Sequence, residues 1–280
     1  MAETMRVGAS LYSFQLEYIR CQWSFEDCMQ LAANTGGDPG VEIVGPMHHR
    51  CWPYLSREFE RQFKSGCERW GLTPVQYGSY AEASIIPSLD DIFDLQVIQM
   101  KTAKRLGFPI FRAHSPGTDP ILERMARIAE KMKLKLAVEL TPSTVLMNPA
   151  GSFIDTVKKV NSEWLGINAD TNMFADRSKD PASSGSSQQQ QRNPVADPEL
   201  LKTIMPWLMH MHGKFYFARN GEIPAVPFDK IVEVVVKGGF KGWMMTEFEG
   251  GNLGEYPNSF EVVKVHHAIV KRAIDKYSKA

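Results

Sequence analysis

The sequence predicts an α/β protein in which eight strands alternate with eight helices and close into a single-domain (β/α)8 barrel. Apolar strand-like runs and helical stretches alternate along the chain, one pair about every 30 to 35 residues. Several runs also end in a polar residue, and the carboxyl ends of the strands carry the active site in such barrels. A doubly wound open sheet is the alternative, but the first run continues into Ala9-Ser10-Leu11-Tyr12-Ser13 and not into a glycine-rich phosphate turn.

Four strand–helix units are expected in the first half of the chain. Short apolar runs bounded by turn residues predict strands at 6–10, 41–44, 72–77 and 109–114. Helices are expected from Ser24, from Ser56 to Trp70, from Ser88 to Arg105 and from about Pro120 to Lys133. Ser24 and Ser88 each have the position of an N-cap, and Gly107 is expected to end the third helix.

The second half repeats the pattern. The fifth to eighth strands are expected to end at Glu139, Asp170, His212 and Glu247. Helical stretches near 150–162, 197–206, 227–238 and 258–276 complete the units.

One segment departs from this alternation. Residues 176–198 are polar and low in complexity, with runs of serine and glutamine, so they bury too little apolar surface to order themselves. We expect a flexible loop after the sixth strand. A lid over the barrel mouth is the functional alternative, because this loop leaves directly from the end of a strand.

Composition excludes several classes of function. The chain has 32 basic and 32 acidic residues and a pI near 7.1, so no charge pattern indicates nucleic acid as a partner. No apolar stretch is long enough for a membrane span and no apolar signal region follows Met1. The four cysteines lack paired metal or redox spacing and are expected to be reduced. We therefore expect a soluble cytoplasmic protein that acts on a small neutral or weakly charged molecule.

The four predicted strand ends suggest a metal site. Glu139, Asp170, His212 and Glu247 would meet on one face of the barrel, and three carboxylates with one imidazole suit a divalent ion. Singly, each residue has an ordinary explanation: a rim salt bridge for Glu139, a helix N-cap for Asp170, or a core histidine for His212. The hypothesis depends on the set.

Two histidines on the seventh strand, His210 and His212, are two residues apart and share a face. We assign His212 to the metal and His210 to a deeper position that supports catalysis, with the reverse left open. Lys214 continues that face at the rim, where it would neutralise negative charge on a substrate. Glu247 is preferred over Glu249 as the ligand, and Glu249 is then a candidate for substrate binding.

Further candidates for substrate binding lie on the other strands. They are Tyr12 after the first strand, Glu42 on the second, and Arg112 and His114 at the end of the fourth. A rim salt bridge is the alternative for Glu42. The pair His48-His49 is expected to lie at the surface.

The expected ion is Mn²⁺, with Mg²⁺, Co²⁺ or Zn²⁺ left open, because oxygen-rich sites favour hard cations over structural zinc. Such an ion holds two adjacent sugar oxygens and stabilises an enediolate when a carbon-bound proton is removed. Glu139 or Glu247 would then act as base or acid. The expected chemistry is proton abstraction next to a carbonyl.

The residues described so far resemble the xylose isomerase-like TIM-barrel superfamily, the sugar phosphate isomerase/epimerase group, from Val41 to Glu247. The resemblance implies a divalent metal held by Glu, Asp, His and Glu on strands five to eight. Within that group, the segments 170–174, 212–216 and 246–250 are similar to the branch that includes the metal-binding subunit of C-glycoside deglycosidases. That branch cleaves 3-oxo-glycosides and implies a small partner subunit; a homo-oligomer is the alternative.

Two positions depart from the resemblance. Met173 stands where epimerases of the superfamily have a histidine, and Thr141 stands where the deglycosidase branch has its catalytic histidine.

The leading expectation for function is a metal-dependent isomerase, epimerase or lyase acting on a sugar or a related polyhydroxy carbonyl compound. Cleavage of a 3-oxo-glycoside is the first alternative. A non-catalytic sugar- or metal-binding barrel is the second.

Overall fold

The computed structural model describes residues 4–80, 86, 88–114, 119–141, 153–180 and 195–279. Its strands are β1 (Arg6–Ser10), β2 (Gly40–Val44), β3 (Thr73–Tyr80), β4 (Ile110–His114), β5 (Lys135–Leu140), β6 (Leu165–Asp170), β7 (Leu208–Phe215) and β8 (Trp243–Phe248). Each strand pairs in parallel with the next, and β8 pairs with β1, so the sheet closes into a barrel. The predicted fold class is confirmed.

The α-helices lie between and after the strands. They are α1 (Gln15–Ile19), α2 (Phe25–Ala33), α3 (Gly45–His48), α4 (Arg57–Trp70), α5 (Leu89–Leu106), α6 (Asp119–Met132), α7 (Phe153–Val160), α8 (Leu200–Ile204), α9 (Phe228–Lys237) and α10 (Ser259–Tyr277). The predicted N-caps Ser24 and Ser88 are confirmed, because each accepts a backbone N–H three residues later at 3.1 Å. Ser56 caps its helix in the same way. Gly107 ends α5 with a φ of +90°.

Alternation along the strands separates the hydrophobic core from the barrel interior. In β2, Val41 and Ile43 belong to the core, whereas Glu42 between them projects to the opposite face of the sheet. In β4, Phe111 belongs to the core and Arg112 projects to the opposite face in the same way. The strands therefore read as apolar while they deliver buried polar side chains to the interior.

The expected surface position of His48-His49 is wrong. Both side chains are 2% exposed. The Val44 N–H donates to His48 Nδ1 at 3.0 Å, and His49 Nε2 lies 2.7 Å from the Tyr77 hydroxyl. The pair follows β2 in the short helix α3, which packs against β3 and so removes both rings from water.

Of the predicted flexible segment 176–198, residues 181–194 lie outside the described part of the chain. The described beginning includes a 3₁₀ turn, Arg177–Lys179, capped by Asp176. No helix among the described residues is long and apolar enough to cross a membrane.

Candidate metal centre

The carboxyl ends of four successive strands bring together Glu139 from β5, Asp170 from β6, His212 from β7 and Glu247 from β8. One nitrogen or carboxylate oxygen from each lies within 4.8 Å of those from the other three. All four residues are buried: Glu139 as a whole is 3% exposed and the others 0%. The residues that the sequence groups as candidate ligands therefore lie in contact inside the barrel.

The ring of His212 stands between two sets of oxygen atoms. On one side, Nδ1 lies 2.9 Å from Glu139 Oε1 and 3.1 Å from Glu247 Oε2. On the other, Nε2 lies 3.1 Å from Glu42 Oε2 and 3.1 Å from Gln76 Oε1. Because a neutral imidazole carries a single N–H, only one side can receive a hydrogen from it.

This arrangement fits a divalent cation. Ionised carboxylates only accept hydrogen bonds, so Glu139 and Glu247, which both face His212 Nδ1, compete for at most one N–H from that nitrogen. Neither oxygen of Glu247 accepts a hydrogen bond of acceptable geometry from any described residue, and both are fully buried. Buried charges normally pair or coordinate metal. A set of three carboxylates and one imidazole is the donor set that suits Mn²⁺ or Mg²⁺.

The charge balance leads to the same conclusion. Four fully buried carboxylates, those of Glu42, Glu139, Asp170 and Glu247, face the buried cations Arg112 and Lys214. Two negative charges remain, which is the charge that one divalent ion neutralises.

Protonation of His212 compensates part of that charge in the ion-free protein. Burial lowers the pKa of His212, but the carboxylates of Glu247 and Glu42 outweigh it and hold the pKa well above 6.5. An ion bound at Nδ1 takes the place of the proton on that nitrogen.

Lys214 lies on the same face of β7, two residues beyond His212. Its Nζ is 2.9 Å from Asp170 Oδ2, 3.1 Å from Glu247 Oε2 and 3.2 Å from Glu249 Oε1. Burial lowers the pKa of Lys214, but the adjacent Asp170 and Glu247 hold it well above 10.5. The side chain is 11% exposed, so the ammonium closes the carboxylate cluster on its more accessible side.

Arg112 holds Glu139 from β4. Its Nη1 donates to Glu139 Oε2 at 2.7 Å, and both side chains are 1% exposed. Burial raises the pKa of Glu139, yet the Arg112 guanidinium keeps it well below its usual range. Gly78 on β3 provides the space, because a Cβ there would lie 2.5 Å from Arg112 Nη2.

Asp170 combines the two roles considered for it. Its Oδ1 accepts the Asn172 N–H at 2.8 Å and so caps the 3₁₀ turn Thr171–Phe174. Its Oδ2 faces Lys214 within the cluster. Burial and the charges of Glu139 and Glu247 raise the pKa of Asp170 to about 6, against the opposing effect of Lys214.

His210 lies deeper than His212 and outside the group of four. In the register between β6 and β7, His210 is opposite Asn168 and His212 is opposite Asp170. The His210 ring is 0% exposed, and its Nε2 lies 3.3 Å from Glu42 Oε2. The structure therefore brings His212, and not His210, to the candidate ligands.

The other predicted substrate-binding residues take different positions. Tyr12 is half-buried, and burial together with the charges of Glu249 and Glu247 raises its pKa to about 12. Glu249 accepts the Tyr216 hydroxyl at 2.8 Å beside Lys214. Glu42 is 0% exposed beneath His212. The side chain of His114 lies outside the described part of the structure.

Gln76 and Ser10 are polar contacts of the site that were not predicted from the sequence. The predicted third strand includes Gln76 but ends at Tyr77, whereas β3 continues to Tyr80, so Gln76 and Gly78 are two residues apart on one strand and share a face. A glutamine inside an apolar strand was the available signal. Ser10 donates from β1 to Glu42 Oε1 at 3.0 Å.

Comparison with known proteins supports the same fold. No family model matches the chain. The 3'-dehydrocarminate deglycosidase alpha subunit of a Microbacterium species is 28% identical over 95% of this chain and 94% of its own length. A C-glycoside deglycosidase alpha subunit of Arthrobacter globiformis is 27% identical over 97% of this chain and 93% of its own length.

Solved structures match at the level of fold. An L-ribulose 3-epimerase superposes with a TM-score of 0.69 at 14% identity, covering 98% of this chain and 96% of that one. The D-allulose 3-epimerase of a Methylomonas species, in complex with D-allulose, gives 0.68 at 13% identity, with 97% and 98% covered. The chain thus has the fold of the xylose isomerase-like sugar isomerases and epimerases, as the resemblance predicted. In sequence it is similar to deglycosidase alpha subunits along almost its full length.

Proposed function

We propose that this chain is a divalent-metal-dependent enzyme that removes a proton next to a carbonyl of a sugar or a related polyhydroxy carbonyl compound. The observation that carries the proposal is the buried group of Glu139, Asp170, His212 and Glu247, with Lys214 on its more accessible side. The fold shared with sugar epimerases and the sequence similarity to deglycosidase subunits support a sugar as the substrate.

Those four residues would hold the ion, with Mn²⁺ the favoured identity. When bound, such an ion polarises a carbonyl oxygen and lowers the cost of negative charge on it. Arg112 contributes by fixing Glu139, because a carboxylate that accepts a buried guanidinium cannot rotate freely. Lys214 contributes a permanent positive charge within 3.2 Å of three carboxylates, close to where a substrate oxygen would enter.

Glu247 is the proposed base. Its Oε2 lies beside Lys214 and His212, whereas Oε1 has no hydrogen-bond partner among the described residues. The carbon–hydrogen bond next to the carbonyl breaks, its proton passes to Glu247 Oε1, and the electron pair moves to the carbonyl oxygen. The product of this step is an enediolate-type intermediate of the substrate.

Epimerisation or isomerisation then needs a second group that takes a proton from solvent water and passes it to the substrate carbon. Glu139 is our candidate, because β5 and β8 lie three strands apart around the barrel and both carboxylates face the same cluster. Tyr12 is proposed to bind a substrate hydroxyl, since its raised pKa keeps the phenol protonated as a donor. His210 is proposed to act from below through Glu42, because its ring is fully buried.

The relatives favour a second candidate, cleavage of a 3-oxo-glycoside. Both are alpha subunits of deglycosidases, so this reading includes a partner subunit. Loss of the C2 proton to Glu247 would be followed by formation of the C1–C2 double bond. The C1–aglycone bond breaks, and the aglycone leaves with the electron pair and takes up a proton. Thr141, half-buried just after β5, offers no group for a base at that position.

Exchange of substrate hydrogen with solvent tests the proposal. Purified protein with added Mn²⁺ is incubated in D₂O with ketohexoses and, separately, with 3-oxo-C-glycosides, and deuterium uptake is followed by NMR. Uptake next to the carbonyl, lost after chelation and in Glu247→Gln, is the expected result. Release of aglycone selects the glycoside reading. Metal binding without exchange on any substrate contradicts the catalytic proposal and indicates a binding barrel.

A further inference from the structure

Beneath the candidate ligands lies a second polar group that the proposed reaction does not use directly. It consists of Glu42, Gln76 and His210, all 0% exposed, and among the contacts that the structure describes the ring of His212 joins it to the metal centre. We propose that Glu42 is a positioning residue: it holds the hydrogen of His212 on Nε2 and thereby leaves Nδ1 free to bind the ion. This inference rests on the metal site of the proposed function.

The distances indicate which ring nitrogen of His212 would keep its hydrogen when the other binds an ion. Nε2 faces two acceptors at 3.1 Å, the carboxylate of Glu42 and the amide oxygen of Gln76. Nδ1 faces the carboxylates of Glu139 and Glu247. A hydrogen on Nε2 is donated to Glu42 and Gln76 and leaves a lone pair on Nδ1 that faces Glu139 and Glu247. A hydrogen on Nδ1 would instead occupy the place that a cation needs.

Glu42 is the stronger of the two lower acceptors. A hydrogen bond to an ionised acceptor is roughly twice as strong as one to a neutral acceptor, so Glu42 outweighs Gln76 at equal distance. An acidic partner on the outer nitrogen also makes the metal-binding nitrogen more basic.

The position of Glu42 is itself fixed by its neighbours. The register places Ser10 of β1 and Gln76 of β3 on either side of it. The Ser10 hydroxyl donates to Glu42 Oε1 at 3.0 Å, and His210 Nε2 approaches Oε2 at 3.3 Å. Oε2 is thus directed at His212 by contacts from β1 and β7.

A second ion between Glu42, His210 and His212 is the competing interpretation, because these three also offer ligand atoms within 4.8 Å of one another. The charge balance opposes it. One divalent ion already neutralises the two uncompensated carboxylates, so a second would leave two positive charges in a fully buried site.

The test measures which ring nitrogen binds the metal and how strongly. Wild type, Glu42→Gln and Gln76→Met are titrated with Co²⁺ by calorimetry, and circular dichroism checks that each is folded. Gln76→Met removes the neutral acceptor at the same distance from the same nitrogen and is the matched control. We expect about 10- to 100-fold weaker binding in Glu42→Gln and a smaller loss in the control. In zinc-loaded wild type, histidine ¹⁵N NMR is expected to show Nδ1 ligated and Nε2 carrying hydrogen.

The outcomes separate this inference from the proposed function. Failure of wild type to bind Co²⁺ overturns the metal site itself. Normal binding by wild type and equal affinity in Glu42→Gln overturns only the role of Glu42. Zinc bound to Nε2 would place the ion next to Glu42 and overturn the inference. Two ions in wild type and one in Glu42→Gln would make Glu42 a ligand of the second ion and overturn it as well. If Glu42→Gln does not fold, the NMR result on wild type decides.

Discussion

Replacing Arg112 with methionine tests whether the candidate site depends on a buried ion pair. The guanidinium donates to Glu139 at 2.7 Å, and both side chains are 1% exposed. The shorter methionine side chain would fill part of the volume and leave the Glu139 carboxylate buried beside three others without its cation.

The expected cost follows from that burial. Removing one partner of a buried ion pair typically costs about 3–5 kcal/mol, because the remaining charge is uncompensated. For a domain of this size a loss of 1 kcal/mol lowers the melting temperature by about 2–4 °C, so a fall of roughly 6–20 °C is expected without metal. Added Mn²⁺ is expected to recover part of it, since an ion compensates the same carboxylates.

Differential scanning fluorimetry of Arg112→Met with and without EDTA measures this effect. Lys64→Met is the matched control: Lys64 pairs with Glu60 at 2.8 Å, but its side chain is 48% exposed, so solvent screens the pair and little stability depends on it. A fall in Arg112→Met no larger than in Lys64→Met would refute the reasoning.

Three further predictions concern other parts of the chain. Gly78→Ala would place a Cβ 2.5 Å from Arg112 Nη2, so we expect about 1–3 kcal/mol of destabilisation and weaker Mn²⁺ binding by calorimetry. In Gly251→Ala the new Cβ would meet nothing within 4 Å, so neither stability nor Mn²⁺ affinity should change. Equal effects in both variants would contradict the steric argument. Burial lowers the pKa of His267 to about 4, so the unfolded chain binds more protons than the folded one between pH 6.5 and 4, and stability falls as pH falls. His267→Gln retains a donor for the Gly8 carbonyl. Between pH 7.5 and 5.5 its free energy of unfolding, measured by urea titration, should fall by about 1.4 kcal/mol less than that of wild type. An identical fall in both proteins would refute this. Ellman's reagent, which reacts with thiols, should modify the exposed Cys21 and Cys51 rapidly in the native protein. The buried Cys28 and Cys67 should react only after denaturation, because burial raises the pKa of both thiols to about 12. Four rapid reactions in the native protein would contradict the structure.

Much of the fold could be predicted from the sequence because local signals agree with the global topology. The serine caps at Ser24, Ser56 and Ser88 fix helix starts through bonds three residues away, and these depend on local sequence alone. Strand ends that carry a polar residue were equally informative: β6 ends at Asp170, where the sequence placed it. Parallel closure then brings such ends to one face.

The parts that were not predicted depend on contacts between distant segments. Nothing local shows that His49 meets Tyr77, so the exposed loop expected there was wrong. Alternation along β7 puts His210 and His212 on one face and strand direction places His210 deeper, but neither decides which of the two is the ligand. The register with β6, which sets His212 opposite Asp170, brings His212 to the other candidate ligands. The contacts of Glu42 with Ser10 and His212 cross from β2 to β1 and β7 and required the closed barrel.

The most direct measurement of the central claim is elemental analysis of the purified protein, with Glu247→Gln prepared beside it. We predict about one divalent ion per chain in wild type, Mn²⁺ or a substitute, and its loss in the variant, because Glu247 is one of the four candidate ligands. Absence of metal from both proteins, even after Mn²⁺ is added, would contradict the account. Full occupancy in Glu247→Gln would contradict the assignment of Glu247 as a ligand.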